Sequence, residues 1–232
     1  MIRNFLQRFR SSRLGHAVAW SRGKSVREVF TDIYRHNLFG GTDSCSGTGS
    51  DLMQTEEIRR RLPPLLREIG AQTMLDIPCG DFHWMKEAEL DILYTGADVV
   101  EELIRRNEQL YANKNRRFLA LDVINDDLPK VDLVFCRDAL VHFSFEDALA
   151  ALMNIKRSGS RYLLTTTFTE RNSNRDIRTG QWRPLNMVKP PLNFPSPIML
   201  INEKCTEGDR SWGDKSLGLW KVCDIPANAH PK

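Results

Sequence analysis

From residue 73 onward, short apolar runs alternate with stretches in which apolar residues recur three and four positions apart, the strand and helix periods in turn. The runs at 73–77, 92–98, 117–122, 131–136 and 161–167 predict strands. Helices are predicted at 82–90, 99–112 and 145–157, and the polar 125–129 is a turn joining the third and fourth strands. Strands alternating with helices predict an α/β fold: a doubly wound parallel sheet with right-handed crossovers and helices on both faces. Two later apolar runs, 197–202 and 217–222, are separated by the turn-like 207–213 and predict an antiparallel pair that finishes the sheet.

Elsewhere the pattern is less regular. Residues 1 to about 35 carry the helical period in two amphipathic pieces interrupted near Gly15 and Gly23. Residues 37–51 are rich in Gly, Ser, Asn and Asp with little apolar content, which reads as a long lid loop. Its end, Gly49-Ser50-Asp51, supplies an N-cap for a helix at 52–70, and Pro63-Pro64 implies that this helix bends or is two pieces. The helix start brings free N–H donors beside the first strand and makes Ser50 and Gln54 binding candidates. After Phe168 comes a polar loop and then a segment whose four prolines from 190 to 197 exclude a central strand. The expected division is 1–50, a helical extension with the lid loop, and 51–232, the main domain, with a substrate-loop insertion at about 168–197.

Composition adds limits rather than a function. A chain of 232 residues with 41% hydrophobic and 27% charged residues is ordinary for a soluble globular protein, and no apolar run is long enough to cross a bilayer. The first ten residues are basic and amphipathic but lack the apolar core of a signal peptide. The cysteines at 45, 79, 136, 205 and 223 are scattered singly, which fits a reduced, cytoplasmic setting. The net charge of +3 is small, so a nucleic-acid partner is not expected; the basic N-terminal thirty residues read more simply as a solvated extension.

The chemistry gathers at strand ends, where open α/β sheets bind ligands. The first strand ends at Asp76, the second at Asp98, the third at Asp122, and the fourth at Cys136-Arg137-Asp138. An acid about twenty residues past a strand–turn–helix start has the spacing that holds two ribose hydroxyls. Leu75-Asp-Ile-Pro-Cys-Gly-Asp81, with Asp98 after Tyr94-Thr-Gly-Ala, Leu121-Asp122-Val and Asp132-Leu-Val-Phe-Cys136, resembles the class I S-adenosylmethionine-dependent methyltransferases over about 70–168. The resemblance implies a Rossmann-like, mostly parallel seven-stranded sheet with an antiparallel C-terminal pair and an N-terminal helical extension, and S-adenosylmethionine as cofactor. It assigns the turn Pro78-Cys79-Gly80 to the methionine part, whose sulfonium and ammonium charges Asp76 and Asp81 suit as neighbours. Asp98, with Val99 beside it, falls to the ribose, Asp122 and Val123 to the adenine, and Cys136, Arg137 and Asp138 to the transfer end. Pro78 and Phe82 replace two glycines of the family's usual turn, leaving Gly80 for close approach. Asp81 and Phe82 at a helix start oppose a dinucleotide pyrophosphate, which disfavours NAD and suits a cationic cofactor.

A narrower similarity, carried by the Ser-Gly-x-Gly-Ser-Asp-Leu loop and the Arg183-Pro-Leu-Asn segment, is to bacterial sugar or glycan methyltransferases. It implies a small hydroxylated acceptor, plausibly a saccharide. A hydroxyl is a poor nucleophile and benefits from a base; His142, just past the fourth strand, is the candidate, against packing, capping or metal-ligand roles. Asp138 would orient His142 if the segment is helical, or join a divalent metal site, which leaves a metal requirement open. Arg183, Asn186 and Asn193 could donate to the acceptor, and Trp84 could stack on it. The alternatives are an RNA or protein N-methyltransferase and a non-catalytic cofactor-binding scaffold.

Overall fold

A computed structural model describes residues 23–226, so the first amphipathic piece of the N-terminal extension lies outside the described residues. Seven strands make one sheet: β1 Thr73–Asp76, β2 Leu93–Asp98, β3 Arg116–Ala120, β4 Leu133–Cys136, β5 Tyr162–Phe168, β6 Met199–Asn202 and β7 Lys215–Lys221. Their order is β3-β2-β1-β4-β5-β7-β6. The first five run parallel, and β7 inserts antiparallel between β5 and β6. The central strands are apolar runs because both faces are covered, as parallel sheets require; every residue of β4 is buried.

The helices are α1 Val26–Arg35, α2 Glu56–Glu68, α3 Glu101–Tyr111 and α4 Phe145–Arg157. Ser25 and Glu28 form a capping box on α1, and Ser144 Oγ accepts from Asp147 N–H at the start of α4. Ile58 and Leu62 of α2 and Ile104 of α3 pack with one face of β1, β4 and β7, while α4 packs on the other face with Leu163 and Trp220.

Three expectations need correction. Residues 82–90 are not a helix; they hold only a short 3-10 turn, Met85–Glu87, and Phe82 is left-handed at φ 58°. Phe82 instead drops into a ring of aromatics, with centroids 5.2 Å from Tyr94, 5.3 Å from Tyr111 and 5.2 Å from Phe118. Asp81 therefore caps no helix. Its carboxylate accepts from Ser44 Oγ and from the backbone N–H of Cys45 and His83, tying the 37–51 loop to the β1 turn.

The helix α2 starts later than Gly49-Ser50-Asp51 would have it, after Thr55, and continues through Pro63 and Pro64 to Glu68. Each interior proline costs about 3 kcal/mol. Four buried side chains on one stripe, Ile58, Leu62, Leu65 and Leu66, each contribute about 1.5–3 kcal/mol, enough to offset that cost.

The segment expected as a substrate loop is a strap over the α4 face. Its Leu185, Met187, Leu192 and Phe194 are core residues, and Trp220 Nε1 donates to Pro195 O at 2.8 Å. Prolines keep it out of the sheet while its apolar side chains fill the core beneath.

Candidate functional site

The turn after β1 is built to be close-fitting. Cys79 N–H donates to Ala97 O at 2.8 Å, which fastens the turn to β2. Gly80 has φ 55°, its N–H donates to Asp98 Oδ2 at 3.2 Å, and its carbonyl accepts from the buried Asn107 of α3 at 2.8 Å. A Cβ at Gly80 would run into Ser46 Oγ of the overlying loop, so the residue has neither the dihedral freedom nor the room for a side chain.

Carboxylates line this end. Asp98 Oδ1 accepts from Val100 N–H at 3.0 Å, and burial pushes its carboxyl up to about 6 against the downward pull of its backbone donors. Asp76 accepts from Tyr94 Oη at 2.6 Å; burial pushes it up to about 8, with the tyrosine bond pulling the other way. Asp122 is held by Ile124 N–H at 2.8 Å and by Asn125 Nδ2 at 2.9 Å. Burial also pushes the thiol of Cys45 up to about 12, so that cavity-lining cysteine is not a thiolate at neutral pH.

These groups border one cavity of about 140 Å³. It continues past β4 to Asp138, Ala139, His142 and Phe143, under a roof of Phe30 from α1 and Phe39 and Ser46 from the loop. Of the side chains singled out in the sequence, Asp76, Pro78, Cys79, Gly80, Asp98, Val99, Asp122, Val123, Arg137, Ser50, Trp84, Asp138 and His142 all border it.

His142 lies on the 3-10 turn Leu140–His142. Its Nδ1 is 2.8 Å from the carbonyl oxygen of Gln181. A carbonyl only accepts, so Nδ1 carries the proton and Nε2 keeps a free lone pair. Burial pushes the imidazole down to about 4, with the Gln181 bond and Asp138 pulling up and Arg183 and Lys215 pushing down. The ring packs on Phe39 with centroids 4.7 Å apart. The result is a neutral base at pH 7 whose Nε2 has no hydrogen-bond partner among the described residues.

Asp138 does not orient His142. Its segment is not helical; Asp138 is left-handed at φ 54° and its carboxylate is taken by Lys215 Nζ at 2.6 Å and Arg137 Nη1 at 3.2 Å. Burial raises that carboxyl, but the two cations outweigh it and hold it well below the usual range. Glu203 completes the cluster, 2.8 Å from Arg137 and 3.4 Å from Lys215, and Arg137 Nη2 also donates to Gly49 O at 2.9 Å. Two cations already satisfy the acid considered for a metal, and among the described residues no group of three or more His, Cys, Asp or Glu is arranged to hold one.

Five further expectations are not brought to the cavity. Cys136 is fully buried in the core and does not line it. Gln54 exchanges hydrogen bonds with Thr206, at 2.7 Å to Oγ1 and 3.1 Å from N–H. Asn186 serves the strap, donating to Thr169 O and Arg171 O, and Asn193 Nδ2 donates to Pro191 O. Arg183 is wholly buried, donating to Leu140 O and Arg175 O. Arg183, Asn186 and Asn193 are consumed by backbone carbonyls that an irregular segment leaves without partners.

Other contributors were not read from the sequence. Val26, Phe30, Ile33 and Tyr34 of α1 line the cavity, as does Phe39. The amphipathic period of 26–35 was the available signal, but not which surface it would cover. Tyr94, Asn107 and Gln181 act through bonds between residues distant in the chain and left no local pattern.

No family model and no curated protein matches the chain in sequence. Solved structures do match in fold. The N-methyltransferase NodS of Bradyrhizobium japonicum WM9 superposes with a TM-score of 0.54 at 13% identity, over 72% of this chain and 96% of that one. The 1,6-didemethyltoxoflavin-N1-methyltransferase of Burkholderia thailandensis, solved with its namesake compound and S-adenosylhomocysteine, gives 0.54 at 15% identity over 84% and 86%. Human N-acetylserotonin methyltransferase in complex with its cofactor gives 0.47 at 18%, over 68% of this chain; the chain spans 48% of that enzyme. Strand order and the first two likenesses define the fold: the chain has the Rossmann-like fold of the class I S-adenosylmethionine-dependent methyltransferases.

Proposed function

We propose that this chain binds S-adenosylmethionine and transfers its methyl group to a hydroxyl of a small molecule, with His142 as general base. The observation that carries this is one cavity with an acid-lined end at Gly80, Asp98 and Asp122 and, at its other end, a neutral imidazole whose Nε2 is free.

The residues fit the cofactor. Burial holds Asp76 and Asp98 above the ordinary carboxylate range, so the acid-lined end favours a cation, which would let both ionise. Asp98 would accept from the ribose hydroxyls, Asp122 and Val123 would meet the adenine, and Pro78-Cys79-Gly80 the methionine part. When bound, the cofactor supplies an electrophilic methyl on a positively charged sulfur. His142 Nε2 receives the acceptor's hydroxyl proton, and the Gln181 carbonyl keeps Nδ1 protonated so that the basic nitrogen faces inward. Phe30, Phe39 and Phe143 exclude water from that end. A saccharide is the acceptor suggested by the sequence; of the four side chains then assigned to it, Trp84 borders the cavity.

A transfer assay with methyl-labelled cofactor against a panel of hydroxylated acceptors tests this. His142→Gln is expected to lower kcat about 10²- to 10⁴-fold with S-adenosylhomocysteine affinity within about twofold. An unchanged kcat would remove the base and favour a nitrogen acceptor, and binding without any transfer by the wild type would mark a scaffold.

A further inference from the structure

We infer that Arg183, buried in the strap and out of reach of the cavity, is a positioning residue for His142: its guanidinium and backbone hold the Leu140–His142 turn from behind and place a fixed positive charge beside the imidazole. This rests on the reading of His142 as base.

The side chain is fully buried, yet among the described residues it has no ion pair. Nη1 donates to Leu140 O at 2.7 Å, Nε donates to Arg175 O at 3.2 Å, Nη2 has no partner, and the guanidinium lies 5.4 Å over the Phe145 ring. Burying a cation without an ion pair is costly, and the carbonyls of Leu140 and Arg175 that it satisfies would be left unpaired by an apolar side chain. Burial brings the group down only to about 10, so it is charged at neutral pH.

What that charge touches is specific. Leu140 O belongs to the turn that carries His142, and the Arg183 backbone N–H donates to Val141 O at 3.0 Å in the same turn. The neighbouring strap residues join in: Gly180 N–H donates to His142 O at 2.8 Å and Gln181 O takes the Nδ1 proton. Thr179 Oγ1 bonds Asp147 and accepts from Ser144 N–H, locking the start of α4 just beyond. All three residues of the turn are thus bonded to the strap, and Arg183 supplies two of the bonds.

The electrostatic consequence follows from position. The charged groups acting on the imidazole are Asp138 at the end of β4, Lys215 on β7 and Arg183 on the strap; the first favours protonation and the two cations oppose it. Lys215 is already paired with Asp138 and Glu203, and Arg137 with the same two acids. Arg183 makes no ion pair among the described residues, and the acid acting on it is Asp176 of the strap, so its field is less cancelled than that of the paired Lys215.

The test uses Arg183→Gln, which keeps a donor and drops the charge, and Arg183→Lys, which keeps the charge and loses the fork. His142 is titrated by NMR of histidine-labelled protein without ligand, and kcat/KM is followed against pH. For Arg183→Gln, both the His142 midpoint and the acid limb of kcat/KM are expected to move up from about 4, with burial, the larger cause, still holding them below 6.5. For Arg183→Lys the midpoint stays low while kcat falls about tenfold. An unmoved midpoint in a folded Arg183→Gln overturns the electrostatic role. Should that variant not melt cooperatively, a wild-type kcat in Arg183→Lys overturns the positioning role. A shifted midpoint with unchanged kcat/KM supports Arg183 acting on His142 and instead removes His142 as the base.

Discussion

At the scale of single residues, the cavity is a set of buried titratable groups whose environments push them apart: Asp98 up to about 6, Asp76 up to about 8 and His142 down to about 4. Carboxyls raised in the folded state bind protons that the unfolded chain has lost, so their stabilising contribution is complete below the unfolded value and disappears as pH rises through the folded one. His142 is the reverse case, stabilising above its unfolded value of 6.5 and losing that contribution as pH falls toward 4. Between pH 6.5 and 8 the ligand-free protein is expected to lose stability as Asp76 ionises, which outweighs the opposite contribution of the half-charged unfolded imidazole near pH 6.5. A cation bound there reverses the trend. Melting curves at several pH values should therefore show a thermal shift from S-adenosylmethionine that grows from pH 6.5 to 8, and more steeply than that from S-adenosylhomocysteine, which lacks the sulfonium charge. A shift that shrinks with pH would contradict the assigned electrostatics.

At the scale of elements, the site depends on how α1 and the strap meet. Gly180 has φ 96°, and a Cβ there would lie 2.8 Å from Val29 Cγ1 of α1. Gly180→Ala is expected to destabilise the fold by about 1–3 kcal/mol through strain and overpacking. It should also lower kcat, because Gly180 and Gln181 hold His142. Denaturant unfolding with kinetics on the same samples checks both, and a full-rate variant would show that the strap does not set the base. The same elements mark what was legible in advance. The parallel strands were, because burial on both faces leaves unbroken apolar runs such as Leu133–Cys136, and α4 was, because Ser144 announces its start. Residues 82–90 were not: the apolar positions at 82, 84 and 85 fit a helix equally well until Tyr94, Tyr111 and Phe118 are known to surround Phe82. The strap was misread because its polar residues, Arg183, Asn186 and Asn193, look free in sequence and are spent on carbonyls in space.

At the scale of the whole molecule, a β3-β2-β1-β4-β5-β7-β6 sheet lines up the carboxyl ends of β1, β2 and β4, and α1 with the 37–51 loop roofs them. Asp76, Asp98 and Asp122 could be found from the sequence because strand ends are local features. The roof could not, since what an amphipathic helix covers is decided by the distant surface it meets. The latch Arg137–Gly49 and the knot of Ser44 and Cys45 on Asp81 show how that roof is fastened to the turn after β1. The central claim is that this shared edge is a cofactor site, and Asp98 is its most exposed commitment: it fixes Gly80 and Val100 and faces the cavity at once. Calorimetric titration of wild type and Asp98→Ala with S-adenosylhomocysteine tests it directly. The expected result is saturable one-to-one binding by the wild type, weakened by about 1.5–3 kcal/mol, roughly 10- to 100-fold, in a folded Asp98→Ala; equal affinity in the two proteins, or no binding by the wild type, would contradict it.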